Sequence, residues 1–419
     1  MKSFLAKNPA LTVREFYNYL ALRFGIIFAL NLQSTTIYYW VYDRTGDKLA
    51  LGLVGFAEVI PAIAFSFLSG HFVDLNEKRK MVMICLGGYL ITGILLLALA
   101  LPSLGGNLET KVLMTLLYTM VFIGGILRSF YSPSMFALFG MIVPRRDYAN
   151  GTSWSSMAWH LGAVLGPLMA GVFIAWSGVQ MGMTAVVILL GILFIPLLLI
   201  ERKPIIKKER EPILMSITQG MQFVWKTPAL LSALALDMFS VLFGGAVALL
   251  PVYQKEILMV DEMGFGILRA SPGAGALITL GLLAFIPLKT NPGRKLFYCV
   301  GGFAISIICF GLSTNFYLSC AMLVLSGMFD AVSVVIRGTI LQLVTPDEMR
   351  GRVSAVNTMF VSSSNELGDF ESGVMAHWLG TVRAVVVGGS ITLGVVIYTY
   401  FKSSALRNFT FDDEQQKSK

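Results

Sequence analysis

Charged residues are scarce in this chain. Lys, Arg, Asp and Glu make up 13% of its 419 residues, whereas a soluble protein carries about 25%. Cysteines are also few, and all of them fall inside apolar stretches: Cys85, Cys299, Cys309 and Cys320. This placement argues against a disulfide framework and against a zinc site. No G-x-x-x-x-G-K-S/T loop and no nucleophile–base set is visible, so we expect neither an enzyme nor an ATP-driven protein, and no cofactor or metal.

Long apolar runs dominate what is present. Hydrophobic residues make up 56% of the sequence, and the mean hydropathy is +0.73. A run of about 20 apolar residues spans a bilayer as a helix. We therefore predict an all-α membrane protein with twelve transmembrane helices, at 16–42, 49–73, 81–101, 112–142, 149–177, 180–200, 229–254, 263–288, 295–313, 316–343, 353–379 and 383–402.

The Lys and Arg residues predict the orientation of these spans. The connections on one side of the membrane carry 23 of them, and those on the other side carry 5. Because cytoplasmic loops are rich in Lys and Arg, both termini are predicted to be cytoplasmic. This distribution explains the net charge of +8 without a nucleic-acid partner.

A basic, proline-broken connection divides the chain. We predict a six-helix bundle over 1–200, a cytoplasmic linker over 201–228, a second six-helix bundle over 229–402 and a cytoplasmic tail over 403–419. Within the linker, ILMSITQGMQFVWKTP is predicted to form an amphipathic helix at the membrane surface.

The two bundles repeat weakly. FGMIVPRRDYANG (139–151) corresponds to LQLVTPDEMRGRV (341–353) at an offset of about 202 residues. At three corresponding positions the halves carry opposite charges: Arg23 and Asp237, Glu58 and Arg269, and Arg128 and Asp330. Such pseudo-symmetric bundles predict that these residues lie near one another around a central cleft.

Span eleven carries three acids, Glu366, Asp369 and Glu371. Helical geometry puts Glu366 and Asp369 on one face, toward the cleft, and Glu371 on another, where packing or gating is favoured. Charged groups inside a bilayer are costly and usually functional. The candidates for proton coupling or substrate contact are Arg23, Glu58, Arg128, His160, Asp237, Arg269, Asp330, Glu366, Asp369 and Glu371. Static interhelical salt bridges, and a hydrogen-bonded core histidine at His160, are the alternatives.

The loop between spans two and three carries a recognisable motif. GHFVDLNEKRK (70–80) resembles the G-x-x-x-D-x-x-x-x-R-K/R signature of the major facilitator superfamily. The resemblance implies the two-bundle fold and a cytoplasmic gate, formed by Gly70, Asp74, Arg79 and Lys80 near the eleventh helix.

Span five contains HLGAVLGPLMAG, which resembles the glycine–proline signature of the family's drug/proton antiporters, with Gly162, Gly166, Pro167 and Gly171 in place. The segments 235–253, 345–353 and 365–373 are similar to a branch that contains enterobactin-type siderophore exporters. The resemblance implies alternating access and proton-coupled export of a small organic molecule, a siderophore-like metabolite or drug, by a monomer. An importer or facilitator of an organic anion, and a non-transporting scaffold or receptor, are the alternatives.

Overall fold

A computed structural model of the chain describes residues 8–204, 213–285, 291–346 and 349–410. The described part is helical throughout, with short 3-10 and turn connections and no strand. Helices satisfy every backbone hydrogen bond within one segment, which is what a bilayer demands of a spanning element. The central part of the predicted linker and the end of the predicted tail lie outside the described residues.

Twelve helices cross the membrane, as predicted. They are α1 (Arg14–Thr45), α2 (Lys48–Leu75), α3 (Lys78–Ala100), α4 (Thr110–Ile142), α5 and α6 (both within Tyr148–Ile192), α7 (Pro228–Gly244), α8 (Glu262–Phe285), α9 (Pro292–Leu312), α10 (Phe316–Val344), α11 (Arg350–Leu379) and α12 (Thr381–Lys402). Ten stretches of the described residues are long and apolar enough to span, and one of them, Asn150–Leu198, contains both α5 and α6. The thirty-residue α11 completes the twelve.

Local chemistry sets the helix ends. Gly178 has φ +71°, a conformation that costs glycine little, and with Ser177 it breaks the helix between α5 and α6. Proline is the first residue of α7 and of α9, where its missing N–H costs no hydrogen bond. The side chain of Asn315 accepts a hydrogen bond from the Leu318 N–H and caps α10. The predicted amphipathic helix is present as Ile213–Lys226.

The helices form two compact units. Unit 1 contains Met1–Gly46, Ala57–Glu209 and Asp261–Ala270, and unit 2 contains Asp47–Phe56, Arg210–Val260 and Ser271–Lys419. Each unit consists mainly of the six helices of one half of the sequence, but each also contains a short segment from the other half. The first turns of α2 belong to unit 2, and the first turns of α8 belong to unit 1.

In unit 1, α1 packs along α5, and α3 packs against α4. Hydrogen bonds connect the helix ends of this unit that are predicted to be cytoplasmic. Lys203 donates to Glu15 at 2.5 Å, and Asn150 donates to Asn8 at 3.1 Å. These contacts join the start of α1 to the start of α5 and to the segment after α6, as the predicted topology requires.

In unit 2, α9 packs against α10 and α12, and α7 packs against α11. One apolar cluster joins the ends of these helices that are predicted to be cytoplasmic, and it includes Val224, Leu230, Leu296, Ile340, Val353 and Leu406. Val224 belongs to the amphipathic helix, so this helix has a protein partner as well as any membrane surface. At the opposite end of the unit, Lys48 pairs with Glu256 at 3.3 Å.

Candidate functional site

An ion pair lies in the interior of unit 2. Asp237 of α7 pairs with Arg337 of α10, and each side chain is 7% exposed. In the apolar part of a membrane a lone charge is very unfavourable, so the pairing lowers the free-energy cost of burying each charged group. Arg337 is not among the site candidates predicted from the sequence. The partner that α10 offers to Asp237 is therefore a residue that the repeat did not indicate.

A small cavity lies beside this ion pair. Asp237 and Ser240 of α7, Cys299 and Phe303 of α9, and Asp330 and Ser333 of α10 contribute to its wall. Its volume is about 10 Å³, which is close to the smallest space that holds one water molecule. Two carboxylates that were predicted as separate candidates, Asp237 and Asp330, thus share one cavity.

Two of the acids of α11, Glu366 and Asp369, lie where this helix contacts α2. Glu366 is buried, with 5% of its surface exposed. Gly55 of α2 is packed against this part of α11: a Cβ atom there would lie 2.8 Å from the Asp369 Cβ and from the Glu366 carbonyl oxygen. Ser372 lies on a different face of α11, where its hydroxyl donates a hydrogen bond to the carbonyl of Gly245, just after α7. Glu366 and Asp369 therefore flank the helix face that meets the first turns of α2.

The glycines of the glycine–proline motif in α5 allow two helices, α1 and α8, to pack closely against it. Cβ atoms on Gly162 and Gly166 would lie 2.9 Å and 2.8 Å from the Phe24 and Phe28 carbonyl oxygens of α1. A Cβ on Gly171 would lie 2.9 Å from the Cα of Gly266 in α8. Small residues let membrane helices approach this closely.

The second half repeats this arrangement in α11. A Cβ on Gly368 would lie 2.8 Å from the Val241 carbonyl of α7, and one on Gly373 would lie 2.6 Å from the Cα of Gly52 in α2. Gly368 and Gly373 correspond to Gly166 and Gly171 at the 202-residue offset. The glycines that receive these contacts, Gly52 and Gly266, were not singled out from the sequence.

Unit 1 holds the second ion pair inside the membrane. Arg128 of α4 donates to Glu58 of α2 at 2.6 Å, and the two side chains are 43% and 28% exposed. The helices cross closely here because Gly125 has no side chain: a Cβ there would lie 2.7 Å from the Glu58 carbonyl oxygen. Both partners were candidates from the sequence, but the repeat had matched Arg128 with Asp330 and Glu58 with Arg269.

The other two arginines that lie within predicted spans of unit 1, Arg23 and Arg269, lie close to aromatic residues. Arg23 is within electrostatic range of the phenols of Tyr19 and Tyr131. The Arg269 guanidinium lies 4.5 Å from the ring centroid of Tyr38, a cation–π distance. Arg269 also donates to the Ser34 hydroxyl at 3.2 Å. Among these arginines, Arg128 has the ion pair with Glu58 described above.

His160 of α5 is half-buried, and its ring meets the neighbouring Trp159 ring edge-on at 4.8 Å. The described contacts give it no carboxylate partner. The structure thus places His160 beside an aromatic residue of its own helix.

Two residues of the predicted cytoplasmic gate, Arg79 and Lys80, have described side chains. Arg79 donates to the Leu198 carbonyl at 3.2 Å, near the end of the segment that continues α6. Lys80 is exposed, and the side-chain positions of Gly70 and Asp74 lie outside the described part. Two neighbours that the sequence did not single out also take part: Glu77 caps α3 through the Arg79 N–H, and the buried Lys78 donates to the Asn76 carbonyl at 3.1 Å.

Charge is divided unequally between the units. The in-span charges of unit 1 are three arginines and one acid, namely Arg23, Arg128, Arg269 and Glu58. Those of unit 2 are five acids and one arginine, namely Asp237, Asp330, Glu366, Asp369, Glu371 and Arg337. Unit 1 is thereby suited to bind an anion, and unit 2 is suited to bind cations or protons.

Comparison with known proteins gives one family. The model of the Major Facilitator Superfamily matches residues 20–368. The chain is 25% identical to the enterobactin exporter of Shigella boydii over 373 residues, covering 87% of this chain and 83% of that protein. It is also 25% identical to the enterobactin exporter of Citrobacter koseri over 381 residues, covering 89% of this chain and 85% of the other.

Solved structures share the fold. A transporter of the POT family, in complex with 5-aminolevulinic acid, matches with a TM-score of 0.72 at 13% identity, covering 94% of this chain and 96% of that one. The xylose transporter XylE from E. coli, in an inward-open conformation, matches with a TM-score of 0.68 at 15% identity, covering 97% and 99%. At these identities the likeness concerns the fold alone.

Proposed function

Because this chain belongs to the Major Facilitator Superfamily and is a multi-pass membrane transporter rather than an enzyme, we propose that it exports a small organic anion by alternating access, in exchange for protons. The proposed substrate class is the catecholate siderophores, since its similar proteins are named enterobactin exporters. The proposed location is a bacterial inner membrane, with both termini cytoplasmic, and the proposed working form is a monomer. The 23-to-5 distribution of Lys and Arg supports this orientation.

The unequal charge of the two units is the observation that carries this proposal. Catecholates are electron-rich and acidic, and they bind to guanidinium groups by charge-assisted hydrogen bonds. Unit 1 supplies three such groups, two of them next to tyrosine rings. A protein that drives substrate with protons also needs carboxylates that are protonated on one side of the membrane and ionised on the other. Unit 2 supplies five.

The roles follow from this division. Arg23, Arg128 and Arg269 are the proposed substrate anchors. Asp237, Asp330, Glu366 and Asp369 are the proposed proton-coupling acids. Arg128 is held by Glu58 at 2.6 Å but is 43% exposed, so it can exchange that carboxylate for an anionic substrate. Arg79 and Lys80, with Gly70 and Asp74, are the proposed cytoplasmic gate.

Everted membrane vesicles test the proposal directly. In these vesicles the cytoplasmic face of the protein is outside, so an exporter moves substrate inward. With enterobactin outside and the lumen made acidic, we expect enterobactin to accumulate in vesicles that contain the protein and not in vesicles that lack it. Collapse of the pH gradient with an ionophore is the control. Accumulation that needs no gradient would instead indicate a facilitator of organic anions, and accumulation only with an alkaline lumen would indicate proton symport and import.

A further inference from the structure

The cavity between α7, α9 and α10 brings together groups of a kind that binds protons. Asp237 and Asp330 both face it, and Arg337 is bound to Asp237. Arg337 follows Asp330 by seven residues, which is two helical turns and places both on one face of α10. The two carboxylates of the cavity thus have one guanidinium nearby, and the described ion pair joins it to Asp237.

The size of the cavity limits its ligand. About 10 Å³ accepts one water molecule and excludes an organic substrate. A metal cation would need several oxygen ligands, and it would lie close to the positive charge of Arg337. A proton on a carboxylate needs neither space nor additional ligands, and one water molecule is enough to carry it to the site.

The groups around Asp330 leave it as the carboxylate without a cation. Among the described residues that line the cavity, α7 contributes Asp237, which Arg337 already neutralises, and α9 contributes the Cys299 thiol. On its other side α10 meets α8 through close backbone contacts, Gly327 with Pro272 and Gly275 with Val324. A partly buried carboxylate to which the described contacts give no cation is stabilised by taking up a proton.

We propose that Asp330 is the carboxyl group that binds the transported proton, while Arg337 keeps Asp237 ionised beside it. This rests on the proposed function for its role in transport, but proton binding at Asp330 can be tested without it. The Asp330 carboxylate takes up one proton from the side to which the cavity is open and becomes a neutral acid. It releases the same proton on the other side, and no other bond changes.

Infrared difference spectroscopy of the purified full-length protein tests the site. The protonated carboxyl group gives a carbonyl-stretch band that disappears as the pH rises. We expect wild type to show this band and Asp330→Asn to lose it. Glu256→Gln, which removes a surface carboxylate of the same unit, should keep it. If the spectra of Asp330→Asn and wild type superimpose, the proposal is wrong.

A second variant and a salt control complete this test. If Asp330→Asn does not fold, Asp330→Glu replaces it: a shifted band supports the proposal, and an unshifted one overturns it. Loss of the wild-type band on adding sodium chloride at constant pH would show a metal-cation site and would also overturn it.

Transport assays separate this inference from the proposed function. In proteoliposomes, we expect Asp330→Asn to exchange labelled for unlabelled enterobactin at the wild-type rate, but not to accumulate it when a pH gradient is imposed. Accumulation by Asp330→Asn equal to wild type would contradict proton coupling at this residue. If wild type itself moves no enterobactin, the proposed function fails, while the infrared band still decides whether Asp330 binds a proton.

Discussion

Gly171 of α5 and Gly266 of α8 are packed backbone to backbone, so that a Cβ atom on either would lie 2.9 Å from the Cα of the other. Gly373 of α11 and Gly52 of α2 have the same relationship. Each crossing joins a helix from one half of the sequence to the first turns of a helix from the other half, which is why those turns belong to the exchanged parts of the two units. The internal repeat thus appears as two equivalent glycine crossings.

A side chain at these crossings should therefore impair the protein. We expect Gly171→Ala and Gly266→Ala to lower the free energy of unfolding by about 1–3 kcal/mol each, the usual effect of overpacking, and to slow transport. The unfolding temperature of the purified protein and uptake into everted vesicles are the measurements. Gly87→Ala is the matched control, because nothing lies within 4 Å of a Cβ at that position of α3. Equal effects at Gly87 and Gly171 would show that the crossing itself is unimportant.

The buried ion pair of unit 2 should show strong non-additivity. Arg337→Gln leaves the Asp237 carboxylate buried and unpaired, which we expect to cost about 3–5 kcal/mol of stability. Removing both charges in Asp237→Asn/Arg337→Gln should recover most of that loss. Thermal unfolding of the two single variants and the double variant in detergent gives the coupling energy. A double variant as unstable as the sum of the two single variants would contradict the pairing.

The helices were predictable because each of them must bury about 20 apolar residues, and this length is visible in one sequence. The break between α5 and α6 was also visible, at Gly178. The amphipathic helix was predicted from the linker sequence as well, but its contact with α11, where a Cβ on Gly220 would lie 2.7 Å from the Arg352 carbonyl, depends on tertiary packing.

The partners of the in-span charges were less predictable. Corresponding positions of a repeat indicate which residues occupy equivalent places in the two halves, as for Arg23 and Asp237, but they do not indicate contacts. Contact depends also on the rotation of each helix and on its neighbours, and these bring Arg337 to Asp237 and Glu58 to Arg128. The sequence did contain one indication that Arg337 belongs to this site, since it lies seven residues after Asp330 and therefore on the same face of α10.

The membrane orientation can be tested by cysteine labelling. In a variant whose four native cysteines are replaced by alanine, we expect a membrane-impermeant thiol reagent to label Gly106→Cys in intact cells, because the loop after α3 is exposed and predicted to face outward. Arg202→Cys, which is equally exposed but predicted to be cytoplasmic, should react only after permeabilisation. The reverse labelling pattern would contradict the predicted orientation.

Arg128 provides the most direct test of anion recognition. Its guanidinium is 43% exposed beside Glu58, so an anionic substrate can compete for it. A hydrogen bond to a charged group contributes about 1.5–3 kcal/mol, so we expect Arg128→Gln to weaken enterobactin binding roughly 10- to 100-fold. Glu58→Gln removes the competing carboxylate and should leave binding equal or tighter. Isothermal titration of the purified proteins measures both, with Lys111→Gln, which removes an exposed cation at the start of the same helix, as the control. Arg128→Gln binding as tightly as wild type, or Lys111→Gln weakening it equally, would show that general positive charge and not this guanidinium attracts the substrate.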